Sequence, residues 1–152
     1  MKKYEFTGET KRVELWNRTA TLHRIKATVE FGFVKVGELG GWIEKEENLS
    51  HEGKAWVWGN AKVCGDAEVC GDAEVFLASH VLVMGSVGSR NDFTTFFRDK
   101  DNEITVKCGC FLGKIDKFLE KVTQTHGNNK YALVYRAAVE VAKLQIELTE
   151  RK

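Results

Sequence analysis

The sequence has no proline, almost no net charge and no long apolar run, and each of these lacks excludes something. A chain without proline holds no rigid turn or proline-rich linker, which favours regular structure almost throughout. With 23 basic against 22 acidic residues the formal charge is +1, too little to draw the whole molecule to nucleic acid or anionic lipid. No apolar stretch approaches the roughly 18 residues that a membrane helix needs, and the Lys2-Lys3 start leads into charged sequence rather than a leader core. The expected setting is therefore cytoplasmic. Four cysteines in 152 residues fit free thiols in such a compartment better than a disulfide framework.

What is present is a repeat. Gly53 to Phe76 reads GKAWVW, GNAKVC, GDAEVC, GDAEVF, four hexads in which Ala and Val recur two positions apart. That spacing turns both side chains to one side of a strand and the residue between them to the other. Asn60, Asp66 and Asp72, each after a glycine, then turn the corner. A short fixed period of this kind is the signature of a parallel β-helix. Traced backwards, the Ala position falls on Leu49 and Ile43, so 34–53 is expected to form a less regular first coil.

If about three hexads make a coil, each residue sits under the one eighteen positions later. Trp58 then lies under Phe76, Lys62 under His80 and Cys64 under Leu82. All point outward, and an outward aromatic pair on a solenoid calls for a cover, either another part of the chain or a second copy. Trp58 and Phe76 are thus the expected packing or oligomer face, with a dimer or trimer as the expected assembly.

The rest is read around that centre. Residues 1–33 alternate in short segments and are expected as strands capping the first coil. Gly40-Gly41-Trp42 marks a place where backbone passes close to a neighbour. The chain divides at 84/85 into strands and β-helix, 1–84, and an α+β region, 85–152. Within the latter, Phe93 to Arg98 and Glu103 to Phe111 form a hairpin, followed by helices at 114–126 and about 129–148. Val134, Ala138, Val141, Ala142 and Leu148 are expected on one packed side of the second helix. The fold class is mainly β with C-terminal helices: a short left-handed parallel β-helix, a β-hairpin and two α-helices.

The stretch richest in chemistry joins the two regions. Gly85-Ser86-Val87-Gly88-Ser89-Arg90 offers backbone N–H groups, hydroxyls and a guanidinium, a natural nest for phosphate or carboxylate. The expected ligand residues are Gly88, Ser89, Arg90, Asn91, Asp92, Thr94, Thr95, Phe96 and Arg98, with a phenylalanine as stacking platform. The alternative is an interdomain turn with Arg90 in an ion pair. Neither a Walker loop nor a dinucleotide fingerprint fits, since no Lys-Ser/Thr ends the glycine run and no helix follows. Cys108 and Cys110 share a strand face, but two thiols do not make a zinc site; no metal and no cofactor are expected. His80 and His51 are the candidate general bases of a hexad-type acyltransferase, yet the coil is short and no loop for a long thioester arm interrupts it.

The hexads, with GELGGWIEKEENLS before them and SRNDFTTFFR, CGCF and THG after them, resemble the small hexapeptide-repeat proteins of tailed phages and prophages. The resemblance covers most of the chain and supplies no catalytic residues. It implies a bacterial or phage cytosolic setting, in which small proteins of this kind act against host immunity, several as sponges for cyclic nucleotide signals. The leading expectation is a non-catalytic, oligomeric sponge for a small phosphorylated, cyclic nucleotide. A structural or inhibitory module that binds a host defence protein is the second, and an acyltransferase based on His80 the third.

Overall fold

A computed structural model describes residues 2–15, 17–88, 92–146 and 148. The chain opens with a long hairpin, β1 (Tyr4–Glu14) and β2 (Thr19–Ala27), in antiparallel register from Tyr4 opposite Ala27 to Glu14 opposite Thr19. Strand β3 (Leu39–Ile43) joins β2 antiparallel, and β5 (Lys62–Val63) joins β3 parallel, giving one mixed sheet in the order β1-β2-β3-β5. Strands β4 (Trp56–Val57) and β6 (Glu74–Val75) make a two-stranded parallel pair. Strands β7 (Val81–Val87), β8 (Asp92–Arg98), β9 (Ile104–Cys108) and β10 (Phe111–Lys114) form an antiparallel meander. Helices α1 (Ile115–His126) and α2 (Lys130–Gln145) cover one side of it.

The left-handed parallel β-helix is therefore not what forms. The two four-stranded sheets are mixed and antiparallel, neither closed nor a solenoid, and the hexads supply strands of only two residues each. The physical reason lies in pairing. Antiparallel ladders of eleven and nine residues in the N-terminal hairpin, and the meander after Val81, hold far more backbone hydrogen bonds than two-residue parallel contacts can. The hexads are inserted between them rather than stacked into coils. Parallel pairs do occur, Trp56 with Glu74 and Trp42 with Lys62, but the offsets are eighteen in one case and twenty in the other. Lys62 pairs with Trp42.

The Ala/Val alternation nonetheless directs burial. Ala55, Val57, Ala61, Val63, Ala67, Val69, Ala73 and Val75 all lie in one core with Tyr4, Ile25, Ile43, Leu49 and Trp56. Asn48 crosses this layer fully buried and fully bonded. Its Oδ1 accepts from the Lys45 N–H at 2.9 Å, and its Nδ2 donates to the Gly65 and Ala67 carbonyls at 3.1 and 2.9 Å. Gly41 shows why the glycine pair precedes Trp42: a Cβ there would stand 2.6 Å from the Ala61 carbonyl oxygen.

A second core joins the meander to the helices, through Phe96, Val106, Phe118, Val122, Tyr135 and Val139. Strand β8 serves both cores, with Phe97 in the first and Phe96 in the second. Strand β7 runs across the expected division at 84/85. On α2 the buried residues are Ala132, Tyr135, Ala138, Val139 and Ala142, whereas Val141 and Leu148 face outward. Among the described residues no helix is long and apolar enough to cross a membrane.

Candidate functional site

The parallel pairing of β4 with β6 sets two aromatic side chains in line. The Trp58 N–H donates to the Val75 carbonyl at 2.8 Å, which brings the next outward residues of the two segments together. The rings of Trp58 and Phe76 stack, centroids 4.5 Å apart and planes 19° from parallel. Arg98, at the end of β8, places its guanidinium carbon 5.2 Å from the Phe76 centroid. Its Nη1 donates to the Glu74 carbonyl at 3.1 Å and to the Glu74 carboxylate at 3.3 Å, and its Nε to Asn102 Oδ1 at 2.9 Å. The indole is thus backed by a ring that is itself held by a bonded arginine.

Beside that indole opens a cavity of about 420 Å³, where the hexads meet the β2–β3 loop and the β8–β9 turn. Phe33 stands at its rim, 88% exposed, and no ring contact links it to Trp58. Five charged side chains line the rest: Lys54, Asp72, Glu74, Lys100 and Asp101. Most are already paired. Glu74 holds Arg98, Asp101 holds Lys114 at 2.9 Å, and Lys100 lies 3.6 Å from Asp72. Lys54 has no carboxylate within ion-pair distance among the described residues.

The turn that carries Lys100 and Asp101 is firmly docked. The Lys100 N–H donates to the Asp72 carbonyl at 2.9 Å, and buried Asp99 accepts from the Thr105 hydroxyl at 2.6 Å. Lys114 Nζ reaches both Asp99 and Asp101. Burial opposes its charge, but the hydrogen bonds it donates to Asp101 and Asp99 outweigh that and raise its pKa above the ordinary lysine value.

The residues expected to bind a ligand are dispersed. Ser89, Arg90 and Asn91 lie outside the described residues. Gly88 takes a positive φ of 81°, and a Cβ on it would stand 1.8 Å from the Tyr135 hydroxyl, so it is a close-packing position. Thr94, Thr95 and Phe96 are buried because β8 is covered on both faces; the Thr95 hydroxyl accepts from the Glu68 N–H at 3.0 Å. No base can stack on Phe96. Asp92 and Arg98 sit at opposite ends of a seven-residue strand, about 20 Å apart.

Asp92 lines a separate groove of about 330 Å³ together with Cys108, Cys110, Lys121, His126, Phe118 and Tyr135. All four cysteines are free thiols. Among the described residues no cluster of three His, Cys, Asp or Glu side chains is placed to hold a metal ion. His80 is buried, and its Nδ1 accepts from the Phe76 and Leu77 N–H groups at 3.1 and 3.3 Å, which ties the ring into the backbone. His51 Nδ1 similarly accepts from the Lys3 N–H at 3.0 Å, its ring stacked on Tyr4.

Sequence reading passed over Phe33, Lys54 and Lys100. A signal existed for one of them: Lys54 occupies the hexad position that Asn60, Asp66 and Asp72 hold in the other three repeats. A lysine replacing a corner residue packs no corner and carries a charge, which marks it for another use.

A comparison with protein-family models finds no match to this chain, and a comparison with curated proteins finds no similar sequence.

Proposed function

We propose that the chain is a non-catalytic binding protein for a small phosphorylated nucleotide, and that the cavity beside Trp58 is its site. The base lies on the cavity side of the indole, Asp72 and Glu74 accept from its N–H groups, and Lys54 with Lys100 receives the phosphate. One observation carries this reading: an indole stacked on Phe76, which Arg98 backs, faces a cavity whose one charge unpaired among the described residues, Lys54, is cationic. A fixed ring loses little entropy when a base stacks on it. Neither His80 nor His51 presents a free general base beside this cavity, which favours sequestration over turnover.

The likeness to phage hexapeptide-repeat proteins supports a cyclic nucleotide immune signal as the ligand and the bacterial host cytosol as the place of action. The test is calorimetric titration and thermal shift with cyclic dinucleotides, cyclic trinucleotides, cyclic ADP-ribose and NAD. Saturation at a hundredfold over the dissociation constant raises stability by about 2.7 kcal/mol. Trp58→Leu and Lys54→Glu are expected to remove the response, and recovery of unaltered nucleotide excludes turnover. No response to any of these nucleotides would overturn the reading.

A second reading, a module that binds a host defence protein, is favoured by Phe33 and Val36, which stand 88% and 66% exposed on the β2–β3 loop. It predicts no nucleotide response and a partner released by Phe33→Asp.

A further inference from the structure

Helix α2 is apolar on both sides. One side is buried against the meander, but Leu133, Ala137, Val141 and Leu144, spaced four, four and three residues apart, form a stripe on the other. They are left open: Leu133 is 60% exposed, Val141 44% and Leu144 87%. An apolar stripe left open on a helix opposite its buried side marks a surface for association.

We infer that this stripe is the interface with a second copy of the chain, the two α2 helices crossing antiparallel about a two-fold axis near Ala138. The stripe is self-complementary in that arrangement. Leu133 meets Leu144 of the second copy, Ala137 meets its Val141, and the axis repeats both contacts, so each of the four residues in each copy has a partner. The small Ala137 beside the axis lets the helices approach closely, while the leucines close the two ends.

The charges agree. Glu140 and Arg136 flank the same edge of the stripe, four residues apart, and in an antiparallel pair like edges meet, setting Glu140 against Arg136 of the second copy. Among the described residues of one chain the guanidinium of Arg136 bonds only to neutral acceptors, Asn128 Oδ1, the Thr123 hydroxyl and the Gly127 carbonyl, at 3.1, 3.2 and 2.9 Å. Glu140 has only an exposed lysine, Lys143, at 3.6 Å. Both therefore have capacity for an intermolecular partner. Self-association is thereby assigned to α2, and the Trp58–Phe76 pair is left to the cavity.

Sedimentation velocity over a concentration series tests this. The chain is expected to move from monomer to dimer, and Leu144→Glu to remain monomeric at every concentration. Because Leu144 is so exposed, that variant should keep its circular dichroism spectrum and melting temperature. Arg136→Glu should weaken the dimer at least tenfold, and the double variant Arg136→Glu with Glu140→Arg should restore it, which a general loss of solubility or fold would not produce. A monomeric wild type at high concentration, or a dimer unchanged by Leu144→Glu, would overturn the inference. A dimer weakened by Arg136→Glu but not restored by the charge exchange would overturn the antiparallel register.

Discussion

The indole of Trp58 lies flat on the ring of Phe76, eighteen positions further along the chain, with 4.5 Å between centroids. A two-residue parallel contact, β4 with β6, is enough to align them. The contact matters beyond its own small ladder, because Phe76 also receives Arg98 and so ties the hexads to the C-terminal meander.

Truncation of Phe76 should therefore be felt at both ends of that stack. Phe76→Ala is expected to lower stability by about 1–3 kcal/mol, from lost burial and ring stacking. Urea denaturation measures the loss. The same variant should weaken any ligand of the Trp58 cavity, since the indole loses its backing; Phe76→Leu should keep most of the stability and less of the binding.

Acid stability is expected to hinge on Glu44. Its carboxylate accepts a bidentate pair from Arg18, at 2.5 and 2.9 Å, and the Gly65 N–H at 2.8 Å. The Arg18 hydrogen bond first, aided by that of Gly65 against the cost of burial, holds its pKa down at about 2, from 4.5. A carboxylate depressed in the folded state contributes stability above its unfolded pKa and loses it as pH falls toward the folded one. Thermal melts from pH 5 to pH 2 should show a steep fall, and Glu44→Gln should be less stable at pH 6 with a shallower fall below pH 4.5.

At alkaline pH Lys3 acts with the opposite sign from a paired lysine. Burial lowers its pKa from 10.5 to about 8, although its Nζ donates to the Ala55 carbonyl at 2.7 Å and sits 4.8 Å from the Phe31 centroid. Below pH 8 the folded state carries a charge it holds less well than the unfolded state does. From pH 8 upward the unfolded chain binds more protons, so this group makes stability rise. Tyr4, whose pKa burial raises, begins to favour the folded state's proton near pH 10 and opposes the trend above it. The rise between pH 8 and pH 10 should be absent in Lys3→Met, as chemical denaturation at stepped pH will show.

Gly41 is expected to tolerate no side chain. A Cβ would stand 2.6 Å from the Ala61 carbonyl oxygen and 2.7 Å from Val57 Cγ1, and the first is backbone in a parallel pair. Gly41→Ala should cost about 1–3 kcal/mol in equilibrium unfolding. A neutral result would mean that β3 and β5 do not pair as described.

The sequence by itself determined what is local. Ala and Val two apart must share a side of any extended segment, and the eight of them from Ala55 to Val75 are all core. The helix stripes around Phe118 and the stop at Gly127 follow from spacing and backbone freedom in the same way. The glycine pair before Trp42 announced a close approach without saying to what. Tertiary structure alone decided which strands pair and which faces remain open. A period of six is compatible with a solenoid or with short inserts between antiparallel ladders, and the choice depends on hydrogen bonds to β2 and β8, which no local pattern encodes. The same is true of the site. Thr94 to Arg98 alternate like a strand with one free face, but packing against two cores buries both faces. Lys54 became part of a cavity because the β8–β9 turn docks on Asp72 through the Lys100 N–H, and contacts so distant in the chain are set by the free energy of the whole fold.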